Sequence, residues 1–211
     1  MNQESPDERA NDVRTHPRLY VLCGLPFSGK STLARAMEHR LNLVHVEVDR
    51  VHAERGLALN GWVPSRGDWI AAYRASYRRL EEALRDGKSV VFDATSYRKI
   101  QRRRLRRMAD AHRVPTTVVY LDISAQEAQR RRSENQHCPV RTGVSDEDFA
   151  MVVNEFQTPE GDEEILRYDA TLPVDDWIDD VLLSYVGAPS RRDRYDDVGA
   201  SGPARVPGCD R

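Results

Sequence analysis

The segment from Gly24 to Ser31 carries residue types that bind phosphate groups. It reads GLPFSGKS and fits the pattern G-x-x-x-x-G-K-[ST]. In such a loop the glycines let the backbone approach phosphate oxygens, and successive N–H groups donate to them beside a helix N-terminus. We predict that Lys30 is catalytic and bridges the outer phosphates of ATP, and that Ser31 ligates Mg²⁺. An ordinary glycine-rich turn is the alternative. The predicted nucleotide-binding residues are Gly24, Leu25, Pro26, Phe27, Ser28, Gly29, Lys30, Ser31 and Thr32.

Two aspartates follow apolar runs further along the chain. Asp49 comes directly after Leu43–Val48, and Asp93 directly after Val90–Phe92. The carboxyl end of a parallel strand faces the ligand crevice. There Asp49 can act as the base that accepts a proton from an attacking hydroxyl, and Asp93 can hold Mg²⁺. For each aspartate the alternative is a cap on the next helix, together with Thr95 in the case of Asp93.

Other candidate metal ligands lack the necessary spacing. Glu47 lies within the second apolar run and is expected to be structural. The six histidines, among them His45, show no metal-ligand spacing, and the three cysteines are scattered. Ser31 and Asp93 are therefore the only predicted metal ligands, for Mg²⁺, and no zinc site is expected.

The segment after Asp93 is strongly basic, from Arg98 to Arg113. Its first turn follows a strand end that faces the crevice, so Arg98, Lys99 and Arg102 could contact an anionic substrate. The alternative is a solvated helix face, which is the usual role of such a run. The net charge of the chain is only −2, which argues against a general nucleic-acid coat.

Alternating strands and helices are predicted to position these residues. Apolar runs rich in valine and leucine are typical of strands that are buried on both faces of a parallel sheet. The intervening segments have helical periodicity, most clearly Asp68–Arg85, and Asp175–Tyr185 is expected to be the closing helix. The expected fold is α/β, a doubly wound five-stranded parallel sheet. The predicted strands are Leu19–Cys23, Leu43–Val48, Val90–Phe92, Val118–Leu121 and, more weakly, a segment near Tyr168–Leu172.

Length and composition predict one domain with two tails. Residues 1–16 and 188–211 are polar and are expected to be flexible and disordered, respectively, leaving residues 17–187 as the folded domain. No apolar stretch approaches the roughly 20 residues that span a bilayer, and the N-terminus lacks the apolar region of a secretion signal. These features predict a cytoplasmic protein.

The loop resembles that of a known group of enzymes. LPxSGKST, residues 25–32, is similar to the AAA_33 group of P-loop kinases, which includes the kinase domain of phage polynucleotide kinase, with zeta toxins, chloramphenicol phosphotransferase and gluconate kinase as wider relatives. The resemblance covers about residues 18–186. It implies a nucleoside-kinase-like P-loop fold, an ATP and Mg²⁺ requirement, and the base role for Asp49. Phe27 departs from the usual glycine, and His52 stands where polynucleotide kinase has a substrate-holding arginine.

The resemblance also implies an arginine-bearing lid. In these kinases a lid begins near the position of Arg130–Arg132, and its arginine reaches over ATP to stabilise charge during transfer. Ser133–Gly143 is polar and suits a mobile lid. We predict that Arg131 is catalytic and that Arg130 binds the nucleotide, with an exposed helix face as the alternative.

The leading hypothesis is a kinase that transfers the γ-phosphate of ATP to a hydroxyl of a small molecule or nucleoside-like acceptor. One alternative is a 5′-hydroxyl polynucleotide or RNA kinase, although nucleic acid is not favoured as a partner. The other is an ATPase switch that acts on a protein partner and needs no base at Asp49. The acceptor pocket is expected within Val51–Asp68, which includes Trp62, together with Trp69.

Overall fold

Five runs of mainly apolar residues form one parallel sheet in a computed structural model, which describes residues 16–57, 65–137, 144–170 and 172–186. The strand order is β2-β3-β1-β4-β5, and every neighbouring pair is parallel. The carboxyl ends of all the strands therefore lie at the same edge of the sheet. The strands are β1 (Leu19–Cys23), β2 (Val44–Glu47), β3 (Val90–Asp93), β4 (Thr116–Asp122) and β5 (Ile165–Asp169).

Helices connect the strands and cover both faces of the sheet. Local signals explain several of their ends. Ser65 and Asp68 form a capping box, Ser145 accepts a hydrogen bond from the N–H of Asp148, and Asn42 adopts the left-handed conformation that ends a helix. The helices are α1 (Lys30–Leu41), α2 (Val48–His52, continued by a π-helical turn, Ala53–Leu57), α3 (Arg66–Arg85), α4 (Lys99–Ala111), α5 (Ala125–His137), α6 (Asp146–Asn154), α7 (Val174–Trp177) and, after a π-helical turn at Ile178–Leu182, α8 (Leu183–Val186).

Alternate residues of the central strand enter two different cores. Tyr20 and Leu22 of β1 pack with α1 and with the C-terminal helical segment, which includes Trp177. Leu19 and Val21 pack on the opposite face, among residues of α3 and α4. This alternation follows from the period of two in a strand and confirms the doubly wound α/β architecture.

Four of the five strands differ in their ends from the predictions. The third strand also includes Asp93, and the fourth is longer, Thr116–Asp122. The second strand ends at Glu47, because Val48 already begins α2. The fifth strand is Ile165–Asp169 rather than Tyr168–Leu172. Within the described residues it is an edge strand beside β4. All of its residues except Tyr168 are therefore at least partly exposed, and its sequence lacks the continuous apolar run of a central strand.

Several predictions fall where the structure gives no description. Residues 1–15 and 188–211 of the proposed tails, Trp62, and residues 138–143 of the proposed lid lie outside the described residues. The domain limits 17–187 stay a prediction. Within the described ranges, no helix has both the length and the apolar character needed to cross a membrane.

Candidate active site

The glycine-rich loop connects β1 to α1 at the carboxyl edge of the sheet. Gly24 directly follows β1 and has no room for a side chain. A Cβ there would lie 2.8 Å from Ser28 Oγ and 3.0 Å from the carbonyl oxygen of Leu121. Gly29 adopts a φ of 97°, which favours glycine, immediately before the helix begins. Lys30, Ser31 and Thr32 form the first turn of α1. The strand–loop–helix order that phosphate binding requires is therefore present.

Lys30 is buried and turned back onto the loop. Its Nζ donates to the carbonyl oxygens of Leu25 at 2.7 Å and Gly24 at 3.1 Å, and it lies 3.4 Å from Ser28 Oγ. These contacts hold the ammonium charge within the loop. Carbonyl oxygens are neutral acceptors, and an anionic phosphate oxygen would accept a stronger hydrogen bond from the same ammonium group.

Phe27 anchors the loop to the neighbouring helices. Its φ of 66° is left-handed, which is uncommon for a residue with a side chain. The ring is buried and belongs to an apolar cluster with Leu25, Ala128 of α5, and Phe149 and Val152 of α6. Burial of the ring offsets the backbone strain. Sequence reasoning listed Phe27 among the nucleotide-binding residues and noted its departure from the usual glycine, but it missed this contact.

Asp49 lies at the carboxyl edge, but not at the end of a strand as predicted. It is an exposed residue in the first turn of α2, where a carboxylate is favoured by the helix dipole. The helix is capped at Glu47, so Asp49 is not its N-cap. If Asp49 is not the catalytic base, its structural role is this favourable interaction with the helix dipole rather than a helix cap.

Tyr73 of α3 lies near the proposed base Asp49 and the proposed magnesium ligand Asp93. Burial raises the pKa of Tyr73, and the neighbouring Tyr77 and the charges on Asp49 and Asp93 raise it further. The phenol therefore stays protonated and can donate a hydrogen bond at this edge. In the sequence Tyr73 was visible only as one member of the apolar stripe of α3.

Asp93 ends β3 and is buried, with 4% of its surface exposed. Its Oδ2 lies 3.3 Å from His45 Nε2, and His45 Nδ1 lies 3.3 Å from Glu38 Oε2. The β2–β3 register pairs Asp93 with Glu47. The capping alternative for Asp93 is wrong, because the next helix begins only at Lys99 and has Arg98 as its N-cap.

The first turns of the basic helix α4 are paired with carboxylates of the described residues. Arg98 bonds to Glu155, and Lys99 Nζ lies 3.4 Å from Asp162. Arg102 is 2% exposed and forms a two-pronged ion pair with Glu163. The expectation that Arg102 could contact a substrate is therefore wrong, because its guanidinium group is buried and paired with Glu163, 61 residues later in the chain.

The three arginines of α5 have separate environments. Arg130 is exposed and pairs with Glu127 and Glu134 on its own helix. Arg131 also bonds to Glu127, at 2.7 Å, and donates to the carbonyl oxygen of Ala170 at 3.0 Å, just beyond β5. Hydrogen bonds from Arg130 and Arg131 lower the pKa of Glu127 to about 2.

Arg132 is buried and ties α5 to α6. It donates to the carbonyl oxygen of Val144 and to Asp146, and it lies over the ring of Phe149. Arg131 thus lies at the carboxyl edge of the sheet, and its catalytic role stays a prediction. Arg130 lies on an exposed helix face, which was the alternative to nucleotide binding. Arg132 has a structural role.

The AAA_33 family, described as an AAA domain, matches residues 19–159, more than half of the chain. The chain belongs to this family. No curated protein matches the sequence of this AAA_33 member significantly. The resemblance inferred from the loop is confirmed, and the match contains the loop, the proposed base Asp49, the proposed metal ligand Asp93 and α5.

Solved structures of kinases share the fold of this AAA_33 domain. A gluconokinase from Sinorhizobium meliloti 1021 is 18% identical with a TM-score of 0.61, over 88% of this chain and 98% of that chain. A sugar kinase from a Janibacter species is 20% identical with a TM-score of 0.59, over 81% and 96%. The APS kinase of Mycobacterium tuberculosis, in complex with AMPPNP and APS, is 19% identical with a TM-score of 0.59, over 81% and 98%. These values show that the P-loop kinase fold is shared.

Proposed function

We propose that this AAA_33 domain is an ATP-dependent kinase that transfers a γ-phosphate to a hydroxyl group of a small-molecule or nucleoside-like acceptor. The observation that carries the proposal is the position of Lys30 in a phosphate-type loop between β1 and α1, with Asp93 at the end of the adjacent strand β3. The solved gluconokinase, sugar kinase and APS kinase support it by analogy of fold.

Nucleotide binding is proposed to redirect Lys30. Phosphate oxygens carry full negative charge, so they attract the ammonium group more strongly than the carbonyl oxygens of Gly24 and Leu25 that now accept its hydrogen bonds. The first N–H groups of α1, from Lys30 to Thr32, are proposed to donate to the same phosphates.

Ser31 and Asp93 fit a magnesium ion. A hydroxyl and a carboxylate are hard oxygen ligands of the kind Mg²⁺ prefers, and they come from α1 and β3, which pack against one another. Bound magnesium would neutralise charge on the transferred phosphoryl group. Asp93 Oδ2 lies 3.3 Å from His45 Nε2, and this close neighbour limits the rotation of the carboxylate.

Asp49 is the proposed base. Its carboxylate is exposed, so an acceptor hydroxyl can reach it, hand over its proton and attack the phosphorus in line. Arg131 is proposed to move from Glu127 and the carbonyl oxygen of Ala170 to the charge that develops in the transition state. Such a move exchanges one anionic partner for another.

A small acceptor is favoured by the position of His52. This residue is 4% exposed and stacks against Trp69, with ring centroids 4.7 Å apart. It therefore cannot hold a nucleic-acid phosphate as an arginine at this position would.

One feature favours the alternative, a 5′-hydroxyl polynucleotide kinase: the surface between α3 and α4 contains several arginines with no ion-pair partner among the described carboxylates. They are Arg55, Arg74, Arg78 and Arg104.

The test is transfer of labelled phosphate from ATP to a panel of acceptors. The panel contains gluconate, other sugars, nucleosides and a 5′-hydroxyl oligonucleotide, each at two salt concentrations. Lys30→Ala is expected to abolish transfer, whereas Lys88→Ala, on an exposed turn before β3, is expected to leave it unchanged. Transfer by Lys30→Ala at the parent rate would overturn the proposal. Efficient, salt-sensitive labelling of the oligonucleotide would favour the polynucleotide alternative.

A further inference from the structure

The side chains of His45, Glu47 and Asp93 converge on the face of the sheet that α1 covers. The β2–β3 register places Glu47 beside Asp93, and His45 points to the same side because it precedes Glu47 by one strand repeat. One nitrogen or oxygen atom from each residue lies within 4.8 Å of the others. One imidazole and two carboxylates form a donor set that suits zinc and similar divalent ions.

Both ring nitrogens of His45 face carboxylates. Nδ1 faces Glu38 and Nε2 faces Asp93, both at 3.3 Å. In the tautomer that carries its hydrogen on Nδ1, the ring donates to Glu38 and directs the lone pair of Nε2 toward Asp93, where a cation can lie. The side chains of His45 and Asp93 are 1% and 4% exposed, so little water can relieve that contact.

The distances agree with metal coordination. With bonds of about 2.1 Å, two ligand atoms at a tetrahedral angle lie roughly 3.4 Å apart. The 3.3 Å between His45 Nε2 and Asp93 Oδ2 matches this value and is longer than a usual N–H···O hydrogen bond. Glu47 can complete the set, because its flexible side chain is still 15% exposed.

Glu38 occupies the place of an outer-sphere carboxylate. When Glu38 accepts the hydrogen of Nδ1, the lone pair of His45 Nε2 is directed at Asp93, which is the carboxylate–histidine–metal arrangement of many zinc sites. The β2–β3 register places the carboxylates of Glu47 and Asp93 side by side, so a cation between them would reduce their repulsion.

We propose that His45, Glu47 and Asp93 bind one divalent ion of the zinc type, oriented through Glu38. The ion is distinct from the magnesium that accompanies ATP, and its binding requires no nucleotide. Asp93 belongs to both sites, so zinc and Mg·ATP are expected to compete. No spacing along the chain indicates this site, because its histidine and carboxylates come from two strands.

The test is titration of the chelator-treated, nucleotide-free chain with Zn²⁺ in a calorimeter. The expected result is one zinc ion per chain, bound at least tenfold more weakly by His45→Gln and by Glu47→Gln. Glu38→Gln is expected to weaken binding about 10–100-fold, as outer-sphere changes do. The matched control is His39→Gln, an exposed histidine next to Glu38, which is expected to bind like the parent chain.

Two further measurements keep the outcome decisive. Co²⁺ in place of Zn²⁺ is expected to give a visible spectrum without the intense bands of thiolate ligands, since no cysteine belongs to the site. If circular dichroism shows that His45→Gln does not fold, the less buried Glu38→Gln and Glu47→Gln decide the matter. Absence of zinc binding, parent affinity in these variants, or thiolate bands would overturn the proposal. Lys30→Ala is expected to bind zinc normally, so failure of the kinase proposal would not affect this result.

Discussion

Replacement of Arg102 by methionine is expected to destabilise the fold severely. Arg102 is 2% exposed, and its Nε and one NH₂ group bond to the two oxygens of Glu163 at 2.7 and 3.0 Å. Its other terminal nitrogen donates to the carbonyl oxygens of Ser96 at 3.0 Å and Gln157 at 2.9 Å. The variant leaves Glu163, whose side chain is 5% exposed, as a buried charge without its partner.

The expected loss follows from that uncompensated charge. Removing one member of a buried ion pair costs about 3–5 kcal/mol, a large share of the roughly 5–15 kcal/mol that stabilises a typical domain. For a domain of this size the corresponding fall in Tm is about 6–20 °C. Substitution of both partners, Arg102→Met with Glu163→Met, is expected to recover part of the loss, because no charge is then left unpaired.

The assay is urea unfolding followed by circular dichroism, with Arg103→Met as the matched control on the exposed side of the same helix. The control is expected to change the free energy of unfolding by no more than about 0.5 kcal/mol. A loss for Arg102→Met within about 1 kcal/mol of the control would refute the reasoning. It would mean that Glu163 finds water or another partner when the guanidinium group is removed.

Three other results are expected. Asp49→Asn should retain affinity for ATP but lose about 10²–10⁴-fold in transfer rate to the true acceptor, and an unchanged rate in a quenched-flow assay would show that Asp49 is not the base. Phe27→Gly should lower the free energy of unfolding by about 2–4 kcal/mol, because loss of a buried ring outweighs relief of the left-handed backbone; a gain in stability in urea unfolding would contradict this. Burial raises the pKa of Cys23 to about 11, so at pH 8 its thiol stays protonated and should resist alkylation in the folded chain; mass spectrometry that finds Cys23 modified before unfolding would show that the site opens.

Features that are local in the sequence were predicted correctly. The phosphate-type loop could be recognised because the strand, the loop and the helix are contiguous in the sequence. Each of them has residue types that favour its own local structure. The central strands could be recognised because burial on both faces demands uninterrupted apolar residues. The position of the edge strand β5 was predicted wrongly, because neither of its faces is completely buried and its sequence is therefore not continuously apolar.

Features that depend on distant residues could not be predicted. The basic helix α4 gave no sign that Arg102 is enclosed, because its partner Glu163 lies on a later loop. The role of Phe27 was missed for the same reason, since the ring packs on α5 and α6. His45 shows no metal spacing along the chain, and only the pairing of β2 with β3 brings it to Asp93.

The strand order also determines when the phosphate loop can form during synthesis. Strand β1 is made before β3 and β4, which are its two neighbours in the sheet, so Leu19 cannot pair until Val90 and Thr116 have emerged. Until then no sheet positions the start of the loop, because Gly24 lacks the Leu121 backbone against which it packs. Pairings between residues so far apart slow folding and leave apolar strands uncovered on the nascent chain. We therefore expect ribosome-bound fragments that end before β4 to bind no ATP and to depend on chaperones.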